Sequence, residues 1–180
     1  HTSEEQARVY DHWGLQYEKD VLSSGYNMPE IFVGFINRYV PPGDDPVLDV
    51  GAGTGILGQS LSIMGYNTID ALDYSHGMLR VCTERHCYRD CIQADINEPI
   101  PIPTDTYQAT MVMGLYGMGH AGPETLKELT RVTKPGGYIM YSLREDEYIS
   151  EGFKLVEDEL EEVMDWTQSH VQSTFGVCWG

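Results

Sequence analysis

The sequence predicts an α/β domain with a doubly wound, mostly parallel sheet, and three observations carry that expectation. Apolar runs of strand length alternate with segments of helical spacing from residue 47 onward. The first run, Val47-Leu-Asp-Val50, breaks directly into the glycine turn Gly51-Ala-Gly-Thr-Gly55, and a helical pattern follows at once. Late in the chain, Lys134-Pro-Gly-Gly137 stops a helix and turns it into another strand. At 180 residues the chain is expected to form one domain: a helical cap over 1–45, an α/β core over 46–168 and a tail over 169–180.

Ahead of the sheet, residues 4–20 and 28–40 read as two helices. The first carries Val9, Tyr10, Trp13 and Tyr17 on one face, and the second carries Ile31, Phe32, Phe35, Ile36 and Tyr39. Pro41-Pro42-Gly43-Asp44-Asp45-Pro46 cannot continue a helix and marks the entry to the sheet. Strand 47–50 leads to a helix over 54–64, closed by Gly65. Strand 67–72 leads to a helix over 76–87, with Ser75 as N-cap. A short strand at 91–94 precedes an irregular, proline-rich stretch at 98–105. Strand 107–113 follows, Pro123 opens a helix over 123–133, and strand 138–143 comes after the Lys-Pro-Gly-Gly turn. A final helix over 150–165 is expected to bury Phe153, Val156, Leu160 and Val163. Its acids, Glu157, Asp158, Glu159, Glu161, Glu162 and Asp165, are expected to face water.

Composition bounds the function. Twenty-eight acidic residues against eleven Lys and Arg give a formal charge of −17, which argues against nucleic acid as a partner, because phosphate binding needs clustered cations. Hydrophobic content of 41% and charged content of 22% are those of a soluble globular protein. No apolar run approaches the roughly 20 residues that span a bilayer, and the start of the sequence has no signal-peptide pattern. The cytosol is the expected compartment, with the nucleus as the alternative. Cys82, His86, Cys87 and Cys91 lie close together but lack paired C-x2-C knuckles, so no metal site is expected.

In a parallel sheet, ligands bind beyond the carboxyl ends of the strands, where the strand order reverses. That rule brings Asp49 to Gly55, Asp73, Asp95 and the loop after Met113 to one rim. A dinucleotide is the rival ligand, because Gly53-x-Gly55-x-x-Gly58 satisfies G-x-G-x-x-G and Asp73 lies near the offset of a ribose acid. Register weighs against it: the fingerprint should open at Gly51, whose sixth position is Ile56. Asp73 suits a ribose better than Asp70, which falls mid-strand. Tyr74 or Met78 is placed to cover an adenine face, with the core as the alternative place for either.

Asp49-x-Gly-x-Gly-x-Gly55, Leu72-Asp-Tyr-Ser-His-Gly-Met-Leu79 and Leu129-Thr-Arg-Val-Thr-Lys-Pro-Gly-Gly137 together resemble the class I S-adenosylmethionine (SAM) methyltransferases, whose fold is Rossmann-like. Tyr10-Asp-His-Trp-Gly-Leu-Gln-Tyr17 is similar to the opening of small-molecule members. The resemblance implies SAM as cofactor and S-adenosylhomocysteine as product. Asp49, Gly51, Ala52 and Gly53 would then hold the methionine part, with Gly55 shaping the turn, Asp73 the ribose, and Asp95 and Ile96 the adenine. Gly114 and Leu115 would pass under the sulfonium, and Tyr17 would reach over the cofactor.

Two departures stand out. Gln108 replaces the acid usual at the start of the fourth strand, and only Ser169–Gly180 remains where the family ends in an antiparallel strand pair. That pair is therefore expected to be incomplete. Displacement at a sulfonium needs mainly correct positioning, with a base only where the acceptor is protonated. His120, Tyr116 and His12 are the candidate bases. The expected acceptor is a small molecule, with a protein acceptor as the alternative. A SAM-binding domain working through partners and a nicotinamide-dependent oxidoreductase are the competing functions.

Overall fold

The computed structural model describes residues 27–116, 121–150, 152–164, 169–171 and 176–179. Helix α1 (Met28–Tyr39) precedes strand β1 (Val47–Val50), α2 (Ile56–Ile63), β2 (Ile69–Asp73), α3 (His76–Glu84) and β3 (Asp90–Gln93). Strand β4 (Tyr107–Val112), α4 (Thr125–Val132), β5 (Thr133–Leu143), α5 (Glu145–Ser150) and α6 (Phe153–Met164) follow, and β6 (Ser169–Val171) and β7 (Gly176–Trp179) close the order. The expected helix over 4–20 lies outside the described residues.

Among the described residues the strands form one sheet in the order β3-β2-β1-β4-β5-β7-β6. β1 pairs in parallel with β2 on one side and β4 on the other. The chain runs outward from β1 to β3, then returns to build the other half from β4. The strand order reverses beside β1, which makes its carboxyl end the switch point.

All four residues of β1 are buried, because helices cover both faces of the sheet. Leu48 and Val50 point to a core shared with Leu126, Leu129, Phe153, Val156 and Leu160. Val47 points the other way, toward Phe32 and Ile36 of α1 and Leu57 and Leu61 of α2. This alternation follows from the two-residue side-chain period of a strand.

Four expectations need correction. The closing pair is present: β7 runs antiparallel to β5, and β6 antiparallel to β7. Three- and four-residue strands suffice there because β5 already supplies a ladder to extend. The Lys134-Pro-Gly-Gly137 segment is an irregular part of β5 rather than a turn before it, since the pairing jumps from Tyr107–Thr133 to Ala109–Tyr138. Gly137 sits tightly in that irregularity, where an added Cβ would lie 2.8 Å from the Gln108 carbonyl oxygen. The helix expected over 150–165 starts later, at Phe153, and an additional short helix, α5, ends before Gly152, whose φ of +82° only glycine adopts cheaply.

The fourth correction concerns Glu157, expected in water but 1% exposed. Tyr148 donates its hydroxyl to Glu157 at 2.5 Å, and Tyr141 donates to the other carboxylate oxygen. An acid on a helix face is buried when neighbouring elements bring enough donors to replace its water. Phe153, Val156 and Leu160 are buried as the spacing predicts, whereas the Val163 side chain lies outside the described part.

Asp70 ties the amino ends of three strands. Its buried carboxylate accepts from Arg89 Nε at 3.0 Å and Nη2 at 2.5 Å, from the Tyr107 hydroxyl at 2.7 Å and from the Asp90 amide at 3.2 Å. Arg89 is 49% exposed and can return to water, but the Tyr107 hydroxyl and its buried neighbours cannot. Asp70→Ala should therefore lower the unfolding free energy by about 2–3 kcal/mol, mostly through the stranded phenol. Urea denaturation of the two proteins would measure the difference, and a change under about 0.5 kcal/mol, the scale of an ordinary surface substitution, would contradict this account.

Candidate functional site

The site begins with backbone geometry. Gly51, Gly53 and Gly55 have φ of +67°, +55° and +80°, so at every second residue the turn after β1 uses a conformation that side-chain-bearing residues rarely adopt. Gly51 and Ala52 donate their amides to the Leu72 carbonyl at 2.7 and 3.1 Å, carrying the β1–β2 ladder one step into the turn. A Cβ on Gly53 would meet nothing within 4 Å, so bare main chain faces open space there. A Cβ on Gly51 would lie 3.2 Å from the Leu115 side chain, which covers that glycine from the loop after β4.

Asp73, the last residue of β2, closes the rim. Its Oδ2 accepts the Gly53 amide at 2.8 Å, and its Oδ1 accepts the Ser75 amide at 2.8 Å. One carboxylate thus joins the glycine turn to the start of α3. Ser75 caps that helix, accepting the Met78 amide at 3.2 Å, as its position predicts.

Asp49 lies deeper than its motif suggests. It is 1% exposed at the end of the central strand and accepts the Tyr88 hydroxyl at 2.7 Å. Burial is the main influence on its carboxyl; the Tyr88 hydroxyl and the Gly58 amide oppose it, and the nearby Asp73 charge adds to it. The net effect pushes the group up to about 7.

Tyr88 was not legible as a site residue. It lies between α3 and β3, half-hidden in Arg85-His-Cys-Tyr88, yet its ring occupies the space beside two glycines. A Cβ on Gly55 would come 2.8 Å from Tyr88 Cε2, and one on Gly58 would overlap the ring outright. The third glycine of G-x-G-x-x-G is therefore required by an aromatic ring of the protein itself, not by a pyrophosphate. Its signal in the sequence was the Gly55-x-x-Gly58 pair at the start of a helix, where only a bulky neighbour justifies two missing side chains. Arg85 supports the same turn, donating Nε to the Thr54 carbonyl and Nη1 to Gln59. The Cys82 thiol donates to the Gly53 carbonyl at 3.1 Å.

The other candidates are spread along the rim and below it. Gly114 donates its amide to Ser142 Oγ at 2.8 Å, which fixes the loop after β4 against β5. Asp95 is half-buried and accepts the Asn97 amide at 2.9 Å, while Ile96 is buried in the core. Met78 is 3% exposed and Tyr74 is half-buried. Tyr116 is a core residue: its hydroxyl is shared with Thr125 at 2.8 Å and its ring stands edge-on to Tyr141 and Phe153. Burial pushes its phenol well above the ordinary value. His12, Tyr17 and His120 lie outside the described residues. Cys82 is buried, Cys87 and Cys91 are half-buried, and burial pushes the Cys82 and Cys87 thiols up, away from thiolate character.

A carboxylate-rimmed glycine turn at the switch point now has a family to be compared with. Residues 47–137 match the model of a methyltransferase domain family, just over half the chain. The chain belongs to the class I SAM-dependent methyltransferases. It is 30% identical over 138 residues to the human methyltransferase-like protein 27, covering 75% of this chain and 56% of that protein. It is 33% identical over 142 residues to the demethylmenaquinone methyltransferase of Renibacterium salmoninarum, covering 76% of this chain and 57% of that protein. The chain thus spans little more than half the length of these relatives. Its fold is that of a TehB-like SAM-dependent methyltransferase from Corynebacterium glutamicum, with a TM-score of 0.73, 16% identity, and coverage of 96% and 97% of the two chains. SAM is the cofactor of this family. The residues at the turn fit such a ligand: Gly53 offers exposed main chain beside the Asp73 carboxylate.

The sign of the Asp49 contribution to stability follows from its raised pKa. A carboxyl that holds its proton more tightly folded than unfolded adds stability at low pH, and that stability is lost as pH rises from about 4 to about 7. At pH 5 the neutral acid and an asparagine present similar donors and acceptors. Asp49→Asn should therefore stabilise the protein more at pH 8 than at pH 5, by an amount on the order of 3 kcal/mol. Melting curves of both proteins across that range test this, and a difference independent of pH would refute it.

Proposed function

We propose that this domain transfers a methyl group from SAM to a small, neutral or cationic acceptor by in-line displacement. The observation that carries the proposal is the Gly53–Asp73 juxtaposition. Open main chain and a rim carboxylate meet at 2.8 Å, where the parallel strands end and their order reverses.

In this reading Asp73 receives the ribose hydroxyls. It is the last residue of β2, on the rim beside the open main chain of Gly53. Asp49, Gly51, Ala52 and Gly53 hold the methionine end, and Gly55 shapes the turn. Tyr74 and Met78 flank the adenine, and Asp95 with Ile96 holds its edge. Gly114 and Leu115 form the floor beneath the sulfur, and Tyr17 covers the cofactor. When bound, SAM supplies a methyl group on a positively charged sulfur, activated toward direct displacement.

The work left to the protein is positioning and the exclusion of water, which suit a site built from main chain and apolar cover such as Leu115. Where the acceptor atom arrives protonated, His120 or His12 serves as the base. Tyr116 has no part in the reaction, since its hydroxyl is engaged in the core. A small-molecule acceptor is supported by the relative that methylates demethylmenaquinone and by the −17 formal charge, which disfavours nucleic acid and favours neutral or cationic partners. No helix of the described residues is long and apolar enough to cross a membrane.

Calorimetry with SAM, S-adenosylhomocysteine and NAD should give heat with the first two and none with NAD. Asp73→Ala should weaken SAM by about 1.5–3 kcal/mol through the loss of charge-assisted bonds. Unchanged affinity would move the ribose role elsewhere, and NAD binding without SAM binding would end the methyltransferase reading. Transfer of label from methyl-labelled SAM into a metabolite extract tests catalysis itself. Binding without any transfer would point to a cofactor-binding domain that acts through partners.

A further inference from the structure

We propose that Tyr88 is a positioning residue of the cofactor site: its ring sets the shape of the glycine turn, and its hydroxyl holds Asp49 as a carboxylate facing a cationic ligand. This inference rests on the reading that the turn holds SAM. Two independent features of the geometry support it.

The first is steric. Tyr88 fills the space where Gly55 and Gly58 lack side chains, so the first turn of α2 is seated directly on the ring. Arg85, three residues earlier, is bonded to the Thr54 carbonyl and to Gln59, and the Cys82 thiol is bonded to the Gly53 carbonyl. The segment from Cys82 to Tyr88 thus grips the turn at Gly53, Thr54, Gly55 and Gly58. None of these contacts needs a ligand, and together they prepare the turn for one.

The second is electrostatic. Asp49 is buried, and its bonds come from neutral donors, the Tyr88 hydroxyl and the Gly58 amide. Among the described residues, the titratable groups coupled to it are Asp73 of β2, Cys82 of α3, and Cys87 and Tyr88 of the link, with Arg85 of the link and Cys91 of β3 beside Cys82 and Cys87. Its partners in the sheet, Ala71 of β2 and Met111 of β4, carry no charge. Its carboxyl therefore titrates near neutrality, and the Tyr88 hydroxyl favours the ionised form. A sulfonium ligand beside the turn gains from that negative charge, because a low-dielectric site strengthens the attraction. Cofactor affinity then rises with pH as Asp49 loses its proton.

The experiment is the pH profile of SAM affinity for the wild-type chain, Asp49→Asn and Tyr88→Phe, by calorimetry between pH 5.5 and 8.5. The wild type should show a rise in affinity with a midpoint near 7, and Asp49→Asn should lack that rise. Tyr88→Phe keeps the ring under Gly55 and Gly58 but loses one hydrogen bond to the carboxylate. Its midpoint should move up by about one pH unit, with affinity near pH 7 falling about fivefold. If Tyr88→Phe weakens SAM equally at every pH and leaves the midpoint in place, the tyrosine is only a packing element and the inference fails. Should Tyr88→Phe not fold, wild type against Asp49→Asn still decides, since parallel profiles for those two would overturn the electrostatic role. Absence of SAM binding by the wild type at any pH would sink the proposed function itself, a distinct outcome.

Discussion

A carboxylate buried at the end of the central strand is the constraint around which this domain is arranged. Asp49 sits on β1, the strand flanked by parallel partners on both sides and covered by helices on both faces. Taking an ionised carboxyl out of water costs several kcal/mol unless donors replace the solvent. The replacements are a phenol from the α3–β3 link and an amide from the first turn of α2. The phenol is in reach only because Gly55 and Gly58 have no side chains to hold the ring away. The glycine turn, α2 and the segment before β3 are thus fixed to one another by a single buried group.

Two aspartates in adjacent strands illustrate how environment separates structural from functional roles. Asp70 and Asp49 are equally buried, at 2% and 1% exposure, and lie only one register step apart on neighbouring strands. Asp70 has a guanidinium bonded to both oxygens, so its charge is neutralised in place and its task is to hold β2, β3 and β4 together. Asp49 receives neutral donors, the Tyr88 hydroxyl and the Gly58 amide, and in the proposed reading a positively charged sulfur binds near it. A group left short of full compensation in the unliganded fold is one that a cationic ligand stabilises on arrival. Stability given up at such a position in exchange for binding is a common feature of functional sites.

Much of this architecture was legible in the sequence. The alternation of strands and helices from residue 47, the glycine turn and the Ser75 cap all lie where local pattern put them, with boundaries shifted by a few residues. Asp73 was separable from Asp70 by position alone, because a strand end faces the rim and a strand middle does not. Leu115 and Gly51 were both candidates, but their contact was not readable, since it depends on two loops 64 residues apart packing face to face. Tyr88 and Arg85 escaped notice because a helix-to-strand link carries no periodicity that says where its side chains point. Glu157 was misplaced for a related reason: amphipathic spacing reports which residues repeat on a face, not whether tyrosines from β5 and α5 converge on one of them. The short β6–β7 pair was missed because strands of three and four residues carry almost no pattern of their own and exist by extending β5.

The sequence by itself determined the fold class and the glycine turn that follows β1. Those properties follow from local backbone preference and hydrophobic period, which neighbouring residues settle among themselves. Tertiary structure decided the ionisation of Asp49, the burial of Glu157, the removal of Tyr116 to the core and the reason Gly58 must be glycine. Each of these depends on the desolvation or close contact of groups far apart along the chain. Such energies come into being only when the sheet has assembled and water has left.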